Sequence, residues 1–162
     1  MPNWCEGSLK TRGKLVNIEK FLDETLKVFE FDYKTGTTKE LEVKKEKSRY
    51  QLVYDANFDS YFYMNGSKRH FLSSPVEIWI DKEDPEEILT VCLGDLRAAW
   101  YTKIEYLTIL SKKYGIDLKI YVYEQGGEFN LDLEVHNGEI IKNNEISFDD
   151  YMWECTNPTI GG

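Results

Sequence analysis

The sequence has 162 residues and a formal net charge of −9, from 20 basic and 29 acidic side chains. This length predicts one domain, and a hydrophobic content of 41% excludes a disordered chain. The acidity disfavours the phosphate neutralisation on which direct nucleic-acid binding depends, and no apolar run is long enough to predict a membrane span. Three cysteines without a signal peptide or CxxC spacing predict reduced thiols, and therefore a cytoplasmic protein.

The chain begins with a predicted strand and a predicted helix. Asn3 to Arg12 predicts a strand that ends at Gly13. Apolar residues then recur at steps of three and four from Leu15 to Phe29, with charged residues between them, which predicts an amphipathic helix. We expect one face of this helix to pack on a sheet.

Residues 30 to 75 predict two β-hairpins. Asn65-Gly66 is the stronger signal, because both residues tolerate the positive φ angles of a two-residue hairpin turn. The strands that we predict are Phe29 to Tyr33 with Lys39 to Val43, and Tyr61 to Met64 with Lys68 to Leu72. After them, Val76 to Ile80 and Ile88 to Leu93 predict a further strand pair, with a short helix opened by Pro85-Glu86-Glu87 as the alternative.

The second half predicts a helix followed by a β-meander. The helix is expected from Thr102 to Tyr114, because Gly115 stands where a helix C-cap favours positive φ. Alternating apolar residues from Leu118 onward predict three further strands, with a turn at Asn137-Gly138. Residues 156 to 162 predict a flexible tail.

Two blocks of the chain carry a family resemblance. The first is the string Met1 to Cys5 with Leu9 and Gly13. The second runs from Ala99-Trp100 through Lys113-Tyr114-Gly115 and the strand Leu118 to Tyr123, and continues with Glu124, Gly127, Phe129 and Asn137-Gly138. Both blocks resemble the YubB-like proteins of phages and plasmids. The resemblance implies that the protein belongs to a mobile element and therefore acts in the cytosol of a host cell. It does not imply an activity, because similarity of fold alone does not establish a function.

The resemblance also implies a fold. The expected fold class is α+β: a ferredoxin-like antiparallel sheet with two helices on one face, elaborated by a β-hairpin insertion. The expected domain spans residues 1 to 155, with residues 30 to 95 as the elaborated hairpin region. The order of strand, helix, helix and strand read from the residues agrees with this expectation.

The sequence predicts no catalytic residue, metal or cofactor. His70 and His136 stand beside predicted turns, so we interpret both as surface residues. Cys5 and Cys155 each lie near a tryptophan, a pattern that fits buried packing and, as an alternative, a metal site with His136. Gly126-Gly127 lacks phosphate-loop spacing, which favours a turn or bulge.

The sequence instead predicts a binding surface of tyrosines and carboxylates. Residues 51 to 162 hold 9 basic and 20 acidic side chains, a net charge of −11 that would attract a basic partner. The candidate binding residues are Tyr54, Tyr61, Tyr63, Asp81, Glu83, Asp84, Glu86 and Glu87. A competing interpretation packs the same rings across the strands of a hairpin core.

These features lead to one leading function and two alternatives. The leading prediction is a non-enzymatic accessory protein that binds and inhibits a host protein, by steric blocking or by mimicry of nucleic acid. The alternatives are a nucleotide-binding protein with a concave aromatic pocket and a nuclease-like enzyme. An exposed strand edge in the hairpin region would also allow a homodimer.

Overall fold

A computed structural model describes residues 2–56, 61–67, 69–80 and 86–162. Within them the chain forms twelve strands and three helices, whose bounds follow in chain order. The first half contains β1 (Trp4–Lys14), α1 (Leu15–Thr25), β2 (Leu26–Asp32), β3 (Thr37–Leu41), β4 (Lys44–Lys47), β5 (Gln51–Asp55), β6 (Tyr61–Met64), β7 (His70–Ser73) and β8 (Val76–Trp79). The second half contains β9 (Ile88–Ala99), α2 (Ile104–Tyr114), β10 (Asp117–Glu124), β11 (Phe129–His136), β12 (Glu139–Ser147) and α3 (Tyr151–Glu154).

The main sheet has nine antiparallel strands in the order β12-β11-β10-β1-β9-β7-β6-β2-β3. A second sheet has three strands in the order β4-β5-β8. Of the described residues, 54% lie in strands and 17% in helices, so this part of the chain is mostly β. The predicted ferredoxin-like α+β fold, a sheet with two helices on one face and a hairpin insertion, is therefore wrong.

The error arose in residues 30 to 95. These residues do not form an appendage to a small sheet, because β9 pairs with β1 along almost its whole length and β7 pairs with β9 on the other side. The strands β6, β2 and β3 extend the same sheet from β7. Strand order depends on contacts between distant residues, which local periodicity does not report.

The first helix is shorter than predicted. It ends at Thr25, and Leu26 begins β2, which pairs with β3 and β6. Leu26 fits both a helical step from Leu22 and the two-residue alternation with buried Val28. Pairing with two neighbouring strands decides in favour of the strand, so the exposed Phe29 belongs to a sheet and not to a helix.

Several local predictions are confirmed. β2 and β3 form a hairpin, β6 and β7 pair across Asn65-Gly66, and β10 to β12 form a meander. α2 ends at Tyr114, and Gly115 has a φ of 62°. The predicted pairing of β8 with β9 is not observed: β8 pairs with β5, whereas β9 pairs with β1 and β7.

The core lies on one face of the nine-stranded sheet, under α1 and α2. Aliphatic side chains such as Leu9, Ile120 and Leu133 fill this inner face and are fully or almost fully buried. The three-stranded sheet packs on α1, where the Tyr54 hydroxyl donates to an Asp23 oxygen at 2.8 Å. We call the opposite face of the nine-stranded sheet the open face; along β2, β6 and β7 it carries the exposed Phe29 and Tyr61 and the half-buried Phe71.

The last residues return to the start of the chain. Trp4 N–H donates to the Gly162 carbonyl at 3.0 Å, and Gly162 N–H donates to the Trp4 carbonyl at 2.9 Å. Residues 156 to 162, predicted as a flexible tail, thus end beside β1. Within the described part of the chain, the helices are too short and too polar to cross a membrane.

Candidate functional site

Aromatic side chains form a row across the open face. Phe29 on β2, Tyr63 on β6, Phe71 on β7 and Trp4 on β1 follow one another with ring centroids 5.7, 5.8 and 5.8 Å apart. All three contacts are edge-to-face, the favoured geometry of aromatic pairs. Alternation along each strand directs these side chains to the same side of the sheet.

An ion pair adjoins the aromatic row. Arg97 on β9 donates to the Glu6 carboxylate at 2.8 Å, and its guanidinium lies 5.0 Å from the centre of the Tyr61 ring. Tyr61, Arg97, Tyr121 and Tyr123 line a depression of about 500 Å³ on this face. We call the row Phe29, Tyr63, Phe71 and Trp4, together with Tyr61, Arg97 and Glu6, the aromatic face.

The structure separates the three predicted binding tyrosines. Tyr61 and Tyr63 both lie on the aromatic face, with Tyr61 38% exposed. Tyr54 is only 1% exposed and hydrogen-bonds to α1, so it belongs to the core. Burial and the nearby Asp23 carboxylate raise the pKa of its hydroxyl.

The predicted acidic run is only partly described. Glu86 forms an ion pair with Lys14, and Glu87 is half-buried just before β9. Asp81, Glu83 and Asp84 lie outside the described residues.

Other carboxylates are paired with lysine or arginine on many elements. Such pairs occur on α1, α2, both sheets and the β2–β3 hairpin, and include Glu19 with Lys45, Glu24 with Lys113, Glu40 with Lys27, Asp117 with Arg12, and Asp132 with Lys142. Mimicry of nucleic acid requires negative charge gathered on one face. The described ion pairs are spread over several elements, and because Asp81, Glu83 and Asp84 lie outside the described residues, mimicry of nucleic acid stays a prediction.

A second concave site lies between the β6–β7 turn and the start of α2. This cleft has a volume of about 600 Å³, within the range of small-molecule pockets. Its walls are mostly apolar and aromatic, with Trp100, Tyr101, Tyr106 and Ile109, and the polar side chains at its border include Arg69, Lys103 and Glu105. We call it the Trp100 cleft.

His70 lines the Trp100 cleft from its buried side. The side chain is 4% exposed, and its ring stacks on Tyr106 with centroids 5.2 Å apart. Among the residues that the structure describes, neither ring nitrogen has a hydrogen-bond partner. Burial lowers the pKa of His70 to about 4, so the ring is neutral at pH 7, with one donor and one acceptor unused.

The interpretation of His70 as a turn-adjacent surface residue is therefore wrong. β7 alternates, so that His70 and Leu72 face the core while Phe71 and Ser73 face outward. The two-residue alternation of this strand was the one signal in the sequence that could have placed His70 in the core. The nearby Asn65-Gly66 turn suggested an exposed position instead.

Two strained residues stand at the mouth of the cleft. Arg69 and Trp100 have φ angles of 68° and 64°, which are uncommon for residues other than glycine. The Arg69 guanidinium lies 4.9 Å from the centre of the Trp100 ring. The Trp100 backbone is held by a 2.7 Å hydrogen bond from its N–H to the Asn3 carbonyl. Such strain costs about 1–3 kcal/mol per residue and concentrates at functional sites.

The metal alternative finds no support. His136 contacts Glu134 at 2.6 Å, Cys5 donates to the Trp100 carbonyl, and Cys155 contacts Asn130. Within the described ranges, no group of three or more His, Cys, Asp or Glu side chains could hold a metal ion.

The two buried thiols differ in acidity. Burial raises the pKa of Cys5 to about 12. Burial also opposes ionisation of Cys155, but hydrogen bonds from Asn130 and Tyr151 outweigh it and lower the pKa of that thiol.

Comparisons with protein-family models, curated proteins and solved structures give no match to this chain. The aromatic face and the Trp100 cleft are the two candidate sites from which a function can be inferred.

Proposed function

We propose that this chain is a non-enzymatic accessory protein of a phage or other mobile element, which binds and inhibits a host protein through the aromatic face. The observation that carries the proposal is the edge-to-face row of rings from Phe29 to Trp4 on the open side of the sheet. The setting in a mobile element derives from the resemblance to the YubB-like proteins.

The composition of this face is that of a binding surface. The solvated face of an antiparallel sheet normally carries polar side chains. Here Phe29 is 45% exposed and Tyr61 is 38% exposed, beside the ion-paired Arg97. Aromatic and arginine side chains dominate the energetics of protein interfaces, and contiguous exposed apolar surface marks interaction sites.

The face also suits a protein more than a small molecule. The row extends across strands β2, β6, β7 and β1. A surface that spans several strands fits another folded surface and would act by steric blocking. The net charge of −9 favours a partner with a basic surface, because opposite charge accelerates association.

The test compares capture of a host partner by two matched variants. Phe29→Ala with Tyr61→Ala removes exposed rings from the aromatic face, whereas Trp79→Ala removes a 67% exposed ring from the three-stranded sheet. We expect the double variant to weaken binding to the captured partner at least tenfold, since each interface hot spot contributes about 2 kcal/mol or more. Titration calorimetry with the purified partner measures the effect.

The control variant shows whether a loss of binding is specific to the aromatic face. Trp79→Ala should bind the partner as tightly as the parent chain, and all three proteins should give the same circular dichroism spectrum. Equal binding by the double variant, or loss of binding only in Trp79→Ala, would overturn the assignment to the aromatic face.

A further inference from the structure

We infer that the Trp100 cleft binds a free mononucleotide, a planar heteroaromatic ring that carries an anionic group. The site lies between the β6–β7 turn and α2, and it is distinct from the aromatic face. The inference goes beyond the proposed function and does not depend on it.

The aromatic walls indicate a flat ligand. Trp100 and Tyr101 are partly exposed at the cleft, and Tyr106 lies deeper beside His70. The Tyr106 hydroxyl donates to the Asn65 carbonyl at 3.1 Å, which holds its ring in place. Stacking between aromatic side chains is a standard way to bind nucleobases, because every base presents a flat face.

His70 supplies the polar specificity. A buried ring nitrogen without a partner costs free energy, and most native proteins avoid it. Both nitrogens of His70 are in this state, in the part of the chain that the structure describes, and His70 lines the cleft. A neutral imidazole offers one donor and one acceptor, the same combination that the edge of a nucleobase presents.

The border of the cleft suits an anionic group. Arg69 and Lys103 both line it, and Lys103 is also the N-cap residue of α2. The first N–H groups of a helix lack intrahelical partners and favour an anion. Glu105 adds acceptor oxygens of the kind that bind ribose hydroxyl groups.

The strain at Arg69 and Trp100 supports a ligand site over a simple turn. Both backbones take left-handed conformations that disfavour their bulky side chains, yet the two side chains stack on each other at the mouth. A glycine would fit either position with less strain. Contact with a ligand would explain why large side chains occupy these two strained positions.

The first experiment is tryptophan fluorescence and calorimetric titration of the full chain with AMP, GMP, CMP and UMP. We expect saturable binding of at least one nucleotide below ~1 mM. The matching nucleoside should bind about tenfold more weakly, because it lacks the phosphate. Absence of saturable binding for all four nucleotides, or equal binding of the nucleoside, would overturn the assignment.

Three variants locate the binding site. His70→Phe keeps a buried ring but removes both nitrogens, and Trp100→Gly removes the stacking ring and relieves the strained φ. Each should weaken nucleotide binding about tenfold or more while the protein remains folded, with Trp100→Gly at least as stable as the parent chain. Trp79→Ala, on the three-stranded sheet and not among the residues that line the cleft, is the control and should bind normally. Unchanged binding in both cleft variants would overturn the site.

Discussion

The two faces of the nine-stranded sheet are formed by alternate residues of the same strands, but they differ in the side chains that they carry. On β9, Leu96 faces the helices and is fully buried, whereas the next residue, Arg97, lies on the aromatic face and pairs with Glu6. The inner face consists mainly of aliphatic side chains, and the open face of aromatic rings and charges. Buried side chains and side chains of the proposed binding surface therefore alternate along one strand, so neighbouring substitutions should have very different effects.

The largest expected effect comes from the inner face. Leu96→Ala should lower the free energy of unfolding by about 2–5 kcal/mol, because it leaves a cavity in a fully packed core. Arg97→Ala should lower it by about 1 kcal/mol or less, since its ion pair with Glu6 is partly exposed. Urea denaturation of both variants measures the difference, and equal losses would contradict the division between the faces.

His70 is a buried polar residue on the mainly aliphatic inner face, and its burial predicts that the free energy of unfolding depends on pH. Below pH 6.5 the unfolded chain protonates this histidine, whereas the folded chain does so only near pH 4. The free energy of unfolding should therefore fall as the pH falls through this window. The loss at pH 4 should be about 3 kcal/mol, because one pKa unit corresponds to about 1.4 kcal/mol.

Urea denaturation of the parent chain and of His70→Phe at pH 7 and pH 4 isolates this contribution. The carboxylates titrate alike in both proteins, so the difference between them reports His70 alone. An identical pH dependence in the two proteins would show that His70 is not buried in its neutral form.

The smallest expected effect distinguishes two tyrosines that are both predicted binding residues. Tyr54→Phe removes the hydrogen bond to Asp23 and should cost about 1 kcal/mol of stability without changing partner binding. Tyr61→Phe should leave stability unchanged, because Tyr61 is partly exposed. Thermal unfolding monitored by circular dichroism tests both, and a larger loss in Tyr61→Phe would reverse the assignment of the two residues.

Part of the candidate sites could be predicted from the sequence. Alternation along Tyr61, Phe62 and Tyr63 correctly places the two tyrosines on one face, and the structure buries Phe62 on the other. The aromatic row itself could not be predicted, because Phe29, Phe71 and Trp4 come from three distant segments. The Trp100 cleft depends on left-handed conformations at Arg69 and Trp100 that no local pattern indicated.

The sequence by itself determined the local elements. The two-residue alternation of β10 and β11, the helical step of α2 with its glycine cap, and the Asn65-Gly66 turn are short-range features of backbone geometry and side-chain spacing. Tertiary structure alone decided whether Leu26 continued a helix or began a strand, and which strands became neighbours. The physical reason is that β-sheet order depends on hydrogen bonds between residues far apart in the chain, such as Trp4 with Ala99, and their free energy is gained only when the whole sheet assembles.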